Sequence, residues 1–255
     1  MKRVLAPWLL AGMATLSAHA DIPLHERQSG TLLLSSSNRA IQEDLSQNPA
    51  SFWLMEGETL WQQPAGPKQQ SCRSCHGEAQ TSMKGVATRY PRRVGERLMN
   101  LDDQINQCRQ ERQQQTPWKA ESSPLLSLSV WVAHQSRGQA ISDVDDPALR
   151  EDLKAGRQHF EQRMGQINLS CAQCHDQRWG QKLAGIVIPQ AHPTGYPIYR
   201  LEWQSLGSLE RRLRNCMNAV RAEPFASGAL EWRQLELFLK WRARGMTVET
   251  PALRP

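Results

Sequence analysis

Past its first twenty residues the chain lacks any stretch apolar enough to cross a bilayer, so stable membrane insertion is not expected. It also lacks a basic block interleaved with aromatics, which argues against nucleic acid as a partner. Long period-two alternation is missing as well, and with it the signature of a large sheet. The charge imbalance is small. Without the leader the chain carries about +4, mild enough to suit small anions or an acidic protein.

What is present begins with "MKRVLAPWLLAGMATLSAHA". Lys2 and Arg3 precede a short apolar run, Val4 to Leu16, and Ala18-His19-Ala20 has the small-x-small form of a cleavage site. Residues 1–20 therefore read as a cleaved secretory signal, with a periplasmic mature chain starting at Asp21. The remainder has room for two small domains or one larger one.

Six cysteines follow, at 72, 75, 108, 171, 174 and 216. In an exported chain the default use is disulfides, but the spacing argues otherwise. "CRSCH" spans Cys72 to His76 and "CAQCH" spans Cys171 to His175. C-x-x-C-H attaches a c-type haem: both thiols add to vinyl groups as thioethers, and the histidine reaches the iron. A redox dithiol or a zinc site uses C-x-x-C without requiring a histidine directly after it. Two such motifs imply two covalent haems, held through Cys72 and Cys75 with His76, and through Cys171 and Cys174 with His175.

The motifs belong to an internal repeat of about a hundred residues. "GETLW" precedes the first and "GRQHF" the second, with glycine, aromatic and first cysteine at identical spacing. "RYPRRVGERLMNLDDQINQC" ends at Cys108 and "YPIYRLEWQSLGSLERRLRNC" at Cys216, the second copy being longer by several residues after the haem motif. "VWVAHQSRG" and "LFLKWRARG" close the copies. The polar stretch "ISDVDDPALR" reads as the linker. The expected fold is mainly α, a tandem repeat of two cytochrome c-like domains, residues 21–146 and 147–255, each with one haem.

Leu98, Leu101, Ile105 and Cys108 share one predicted helical face, and Leu206, Leu209, Leu213 and Cys216 repeat the offsets. Each lone cysteine thus ends an apolar stripe facing its domain interior. In the final helix, Trp232, Leu235, Leu239 and Trp241 are available for packing, with a stop near Gly245. Three uses of Cys108 and Cys216 stay open: a disulfide between them, burial as inert thiols, or the second axial ligand of the haem in each domain. Met83, Met99, His134, His192, Met217 and Met246 are rival ligands, but none recurs at matching positions of the repeat, as the cysteines do. Thiolate ligation favours ferric iron and low potentials.

Charge distinguishes the two stripes. Gln104 lies four residues before Cys108, and Arg212 four before Cys216. Asp103, Asn106 and Gln113 correspond to Arg211, Arg214 and Arg221, although Arg112 faces Val220 the other way. Arg211 and Arg214 read as a solvated face. Arg212 shares the stripe, needs a partner there, and suits a sulfate or sulfonate oxyanion.

The double motif, the lone cysteine of each copy and the stretch "RRLRNCMNAVRAEPF" resemble the SoxA subunits of the SoxAX cytochromes of sulfur oxidation, over essentially the whole mature chain. The resemblance implies histidine/cysteine ligation of both haems, by His76 with Cys108 and by His175 with Cys216. It implies a catalytic Cys216 that bears a persulfide, and Arg212 as the thiosulfate-binding residue. The activity it implies is that of an L-cysteine S-thiosulfotransferase, coupling thiosulfate oxidatively to a cysteine of a carrier, SoxYZ. Electrons would pass through haem to a monohaem partner, SoxX, in a heterodimer. A plain dihaem electron carrier and a thiosulfate dehydrogenase forming tetrathionate are the competing readings. A dihaem peroxidase needs an open distal site, which the repeated cysteines oppose.

Overall fold

Two glycines set how each half is put together. The computed structural model describes residues 22–183 and 185–255, so the leader read at residues 1–20 lies outside the described part. Helix α1 (Ser36–Glu43) precedes α2 (Ser51–Gln62). Helix α2 crosses α6 (Ser123–His134) so closely that a Cβ on Gly57 would strike the Ser127 carbonyl and the Trp131 Cβ. In the second half α7 (Arg150–Glu161) crosses α10 (Leu230–Arg242), and a Cβ on Gly156 would strike the Gln234 carbonyl and the Phe238 Cβ. Only glycine permits this approach of two helix backbones.

Between those crossing pairs each half inserts the same parts. The haem-motif helices are α3 (Cys72–His76) and α8 (Cys171–His175), and α4 (Ala79–Ser82) follows the first. Helices α5 (Leu101–Glu111) and α9 (Leu209–Ala219) carry the lone cysteines. An antiparallel hairpin feeds each of them: β1 (Arg92–Val94) with β2 (Arg97–Met99), and β5 (Ile198–Arg200) with β6 (Ser205–Gly207). The extra length of the second copy forms another hairpin, β3 (Lys182–Leu183) with β4 (Ile186–Val187). The last strand, β7 (Ala252–Arg254), pairs parallel with β5.

The hairpins correct the stripes. Leu98 lies in β2 and Leu206 in β6, so each helix starts only at Leu101 or Leu209. Asn100 and Ser208 cap those starts, Asn100 through a reciprocal capping box with Asp103. The final helix ends at Arg242, and Gly245 takes a φ of 78° just beyond it. Trp232, Leu235 and Leu239 are buried as expected.

The stretch read as a polar linker is docked. Ile141 is buried with Ala243 and Val248, and its amide donates to the Met246 carbonyl at 2.8 Å. Leu149 packs with Leu98 and Leu237. Two apolar residues thus anchor a segment whose composition is otherwise polar. The halves also share side chains: Trp53 packs on Tyr199 with ring centroids 5.8 Å apart, and Arg93 pairs with Asp152 at 2.7 Å. The N-terminal arm lies along the C-terminal strand, where the Leu253 amide donates to Gln42 Oε1 at 3.0 Å.

Candidate functional site: two cysteine–histidine crevices

Each haem motif sits on a helix of five residues whose start is fixed by a serine. The Ser71 hydroxyl accepts from the Ser74 amide, and the Ser170 hydroxyl from the Gln173 amide, which completes a capping box. Cysteines three apart then share one face of the turn, with the histidine next in sequence. The preceding loops match too. Ala65 bridges Gln70, and Met164 bridges Leu169, before the respective first cysteines. Gly66 and Gly165, at φ of 72° and 70°, let those loops press on Gln113 O and Val220 O, at the ends of the lone-cysteine helices. An aromatic from the preceding helix meets each histidine: Trp61 with His76 at 5.8 Å between centroids, Phe160 with His175 at 6.4 Å.

The donor set fits a c-type haem. All six cysteines are free, so the thiols of both motifs remain available and the disulfide between Cys108 and Cys216 is not formed. His175 Nδ1 lies 2.7 Å from the Pro189 carbonyl, which can only accept. The ring is therefore protonated at Nδ1, and Nε2 keeps its lone pair for a metal. Burial lowers the His175 pKa and favours this neutral form. His76 is more exposed, and no hydrogen bond to its ring occurs among the described residues.

Each lone-cysteine helix packs beside the first cysteine of the motif in its own half: Leu101 and Ile105 share a cluster with Cys72, and Leu209 and Leu213 share one with Cys171. Burial and then the Cys108 charge push the Cys72 thiol up to about 11. Burial and then Cys216 push Cys171 up to about 12. Thus α5 brings Cys108 to the first motif and α9 brings Cys216 to the second, in matching positions. The rival ligands are placed differently. His134 and His192 have Nδ1 at the Thr250 and Gln28 carbonyls, at 3.2 and 3.0 Å. Met246 joins the Ile141 cluster, Met99 is fully buried in β2, and Met217 is buried next to Cys216. Met83 packs in the cluster that contains Cys72.

The two crevices differ at the position four residues before the cysteine. In the first half the Tyr90 hydroxyl donates to Gln104 Oε1 at 3.2 Å, and Gln104 Nε2 donates to Cys108 Sγ at 3.6 Å. In the second half Arg212 replaces Gln104. It is half-buried, and no hydrogen bond or ion pair to its guanidinium occurs among the described residues. Its charge acts on His175 and on the half-buried Tyr196.

Arg211 and Arg214 do not form the solvated face expected of them. Arg211 lies 4.3 Å from the Trp203 ring centroid and donates to Ser205 Oγ, while Arg214 pairs with Glu210 at 2.8 Å. Both cations are half-buried and already satisfied, which leaves Arg212 as the free one on this helix. The tyrosines escaped the sequence reading, although each occupies a Tyr-Pro pair at the same place in the repeat. The Pro189 carbonyl had no signal in sequence, because any residue supplies one.

A family model described as SoxA/TsdA, cytochrome c domain, matches residues 56–141 and 155–248. The L-cysteine S-thiosulfotransferase subunit SoxA of Pseudaminobacter salicylatoxidans is 33% identical over 235 residues, covering 91% of this chain and 82% of that protein. That of Allochromatium vinosum is 33% identical over 245 residues, covering 92% and 84%. The crystal structure of SoxXA from P. pantotrophus superposes with a TM-score of 0.86 at 29% identity, covering 90% of this chain and 87% of that one.

Proposed function

This chain belongs to the SoxA/TsdA cytochrome c family, and from that membership we propose that it is the dihaem subunit of an L-cysteine S-thiosulfotransferase, joining thiosulfate to a cysteine of a carrier protein. The family is one of c-type haem proteins. Our reading gives this chain two haems. Cys72 and Cys75 hold the first, with His76 and Cys108 at the iron, and Cys171 and Cys174 hold the second, with His175 and Cys216. Haem, when bound, supplies one-electron oxidation.

The observation behind the assignment is Arg212, a half-buried and unpartnered cation one helical turn before Cys216. A guanidinium fork matches the oxygens of a sulfonate, so Arg212 holds the oxyanion end of thiosulfate and aims its outer sulfur at Cys216. Joining that sulfur to the Cys216 thiol forms one S–S bond and releases two electrons and a proton. The carrier thiolate then attacks the outer sulfur. The S–S bond to Cys216 breaks, the carrier keeps the S-thiosulfonate, and Cys216 leaves as thiolate. A persulfide on Cys216 runs the same two steps through its terminal sulfur.

We assign the carrier as a SoxYZ-type protein and the electron-accepting partner as a SoxX-type monohaem cytochrome in a heterodimer. The P. pantotrophus neighbour is a SoxXA complex. The compartment we assign is the periplasm, on the leader read at residues 1–20. No helix among the described residues is long and apolar enough to cross a membrane.

The test mixes heterodimer, thiosulfate, an oxidised acceptor and carrier, and weighs the carrier cysteine by mass spectrometry. Carrier heavier by one thiosulfate, with no tetrathionate, is expected. Tetrathionate formed without carrier would make this a thiosulfate dehydrogenase, and neither product would leave an electron carrier. The mass of the Cys216 peptide before and after thiol treatment reports a resting persulfide directly.

A further inference from the structure

Comparison of the two crevices leaves one polar group without a partner. In the first half a chain of hydrogen bonds runs from the Tyr90 hydroxyl through the Gln104 amide to Cys108 Sγ. The second half keeps both ends. Tyr196 stands before β5 as Tyr90 stands before β1, each followed by proline, and Cys216 occupies the eighth position of its helix as Cys108 does. Only the middle member changes. Gln104 offers both an acceptor and donors, whereas the Arg212 guanidinium offers donors alone.

Tyr196 therefore has no acceptor where Tyr90 has one, and no hydrogen bond to its hydroxyl occurs among the described residues. Its ring packs with Cys171 and Leu213 against the buried Phe160 and Leu209, beside the second motif. Both Arg212 and Cys216 act on its phenol electrostatically, as Cys108 acts on Tyr90. By the correspondence of the two halves, the phenol and the guanidinium take the places of the hydrogen-bonded Tyr90–Gln104 pair, and both are donors. An oxyanion supplies the acceptor.

We propose that Tyr196 is a second substrate-positioning residue of the Cys216 site, its phenol donating beside Arg212 to a sulfonate oxygen of thiosulfate. The inference rests on the function proposed above. With two donors on different segments, the loop before β5 and α9, the sulfonate is fixed in direction as well as in place, so the outer sulfur points at Cys216. The same donors would also suit a haem carboxylate, and the experiment separates the two sources.

In the holo heterodimer, Tyr196→Phe should raise KM for thiosulfate about tenfold or more, the loss of one hydrogen bond to a charged group, with kcat changed far less. The resting haem spectrum and potentials should stay as in the parent. An unchanged KM in Tyr196→Phe overturns the inference. So does a resting spectrum or potential that shifts without thiosulfate while KM holds, because the phenol then serves a haem carboxylate. If Tyr196→Phe does not accumulate, 3-fluorotyrosine at 196, a stronger donor of nearly the same shape, should lower KM, and no change overturns the proposal. Arg212→Gln tells the two readings apart. If it too leaves thiosulfate handling intact, the proposed function fails; if only the tyrosine variants are silent, this inference alone fails.

Discussion

Gln104 Nε2 donates to Cys108 Sγ at 3.6 Å. The contact places the side chain four residues before the lone cysteine against its sulfur, one helical turn away on the same face. The second half has the same helix length and cysteine position, with Arg212 at the place of Gln104. One crevice is internally satisfied and the other presents an unused cation. On this difference rests the proposal that the second crevice, with Arg212 and Cys216, is the site of chemistry.

Replacing Arg212 by Gln makes the second crevice a copy of the first. We expect kcat/KM for thiosulfate to fall about a hundredfold, the cost of a lost charge-assisted contact, with haem content and Tm preserved. Steady-state assay of the heterodimer with carrier protein measures it. An activity within a few-fold of the parent would remove Arg212 from the substrate site.

Replacing Gln104 by Leu acts on the other half. A hydrogen bond to a ligating sulfur withdraws electron density from it, so its loss strengthens donation to iron and lowers the potential. A redox titration of the heterodimer should show the first haem moving downward and the second standing still. A first-haem potential that does not move would count against Cys108 as its ligand.

Arg233 ties both lone-cysteine helices to α10. Its guanidinium holds Asp103 of α5 with two hydrogen bonds, at 2.8 and 2.7 Å, and Glu210 of α9 at 3.0 Å. Removing it strands the half-buried Asp103 carboxylate, while Glu210 keeps its pair with Arg214. Arg233→Leu should cost about 3 kcal/mol, a fall in Tm of roughly 6–12 °C by thermal melting. Arg233→Lys keeps the charge, loses the fork, and should fall between.

Much of this arrangement is written in the sequence because its spacing is rigid. A haem motif must present two thiols and an imidazole within five residues, so Cys72–His76 and Cys171–His175 could be read at sight. The repeat then located Cys108 and Cys216 without any contact being known. Legibility stops where structure depends on partners far along the chain. Leu98 and Leu206 look helical by offset but pair across hairpins, a choice made by Arg93 and Tyr199 on the opposing strands. Ile141 sits in polar sequence and is anchored by residues a hundred positions on. Arg211 looked solvated until Trp203 came beneath it.

Gly156→Ala tests the second helix crossing. The added Cβ would meet the Gln234 carbonyl, a backbone atom that cannot swing aside, and Phe238 Cβ at 2.9 Å. The helices must separate, and overpacking of this kind costs about 1–3 kcal/mol. Phe160, on the same helix as Gly156, lies against both Phe238 and His175. The variant should therefore melt earlier and also broaden the spectrum of the second haem. Gly57→Ala should do the same to the first. A melting temperature equal to the parent's would mean that the crossing is looser than these distances allow.

The folded chain should lose stability as pH rises toward neutrality. Asp102 is pushed up to about 7, chiefly by burial, against the opposing pull of its hydrogen bond from Ser129 and with added repulsion from Glu236 and Asp103. In the unfolded chain the same carboxyl titrates near 3.8. Between those values the folded protein binds the extra proton, so stability declines as pH climbs from about 4 to about 7. Above about 7 the group is ionised in both states, and the full cost of its buried charge is present. Glu236 is raised by burial too and acts in the same direction. Asp102→Asn keeps an acceptor for Ser129 and removes the charge. Thermal melts across pH should show the variant more stable than the parent by several degrees at pH 8, with the gap closing toward pH 4. A gap that persists unchanged at pH 4 would mean that the gain comes from packing and that Asp102 does not titrate in this range.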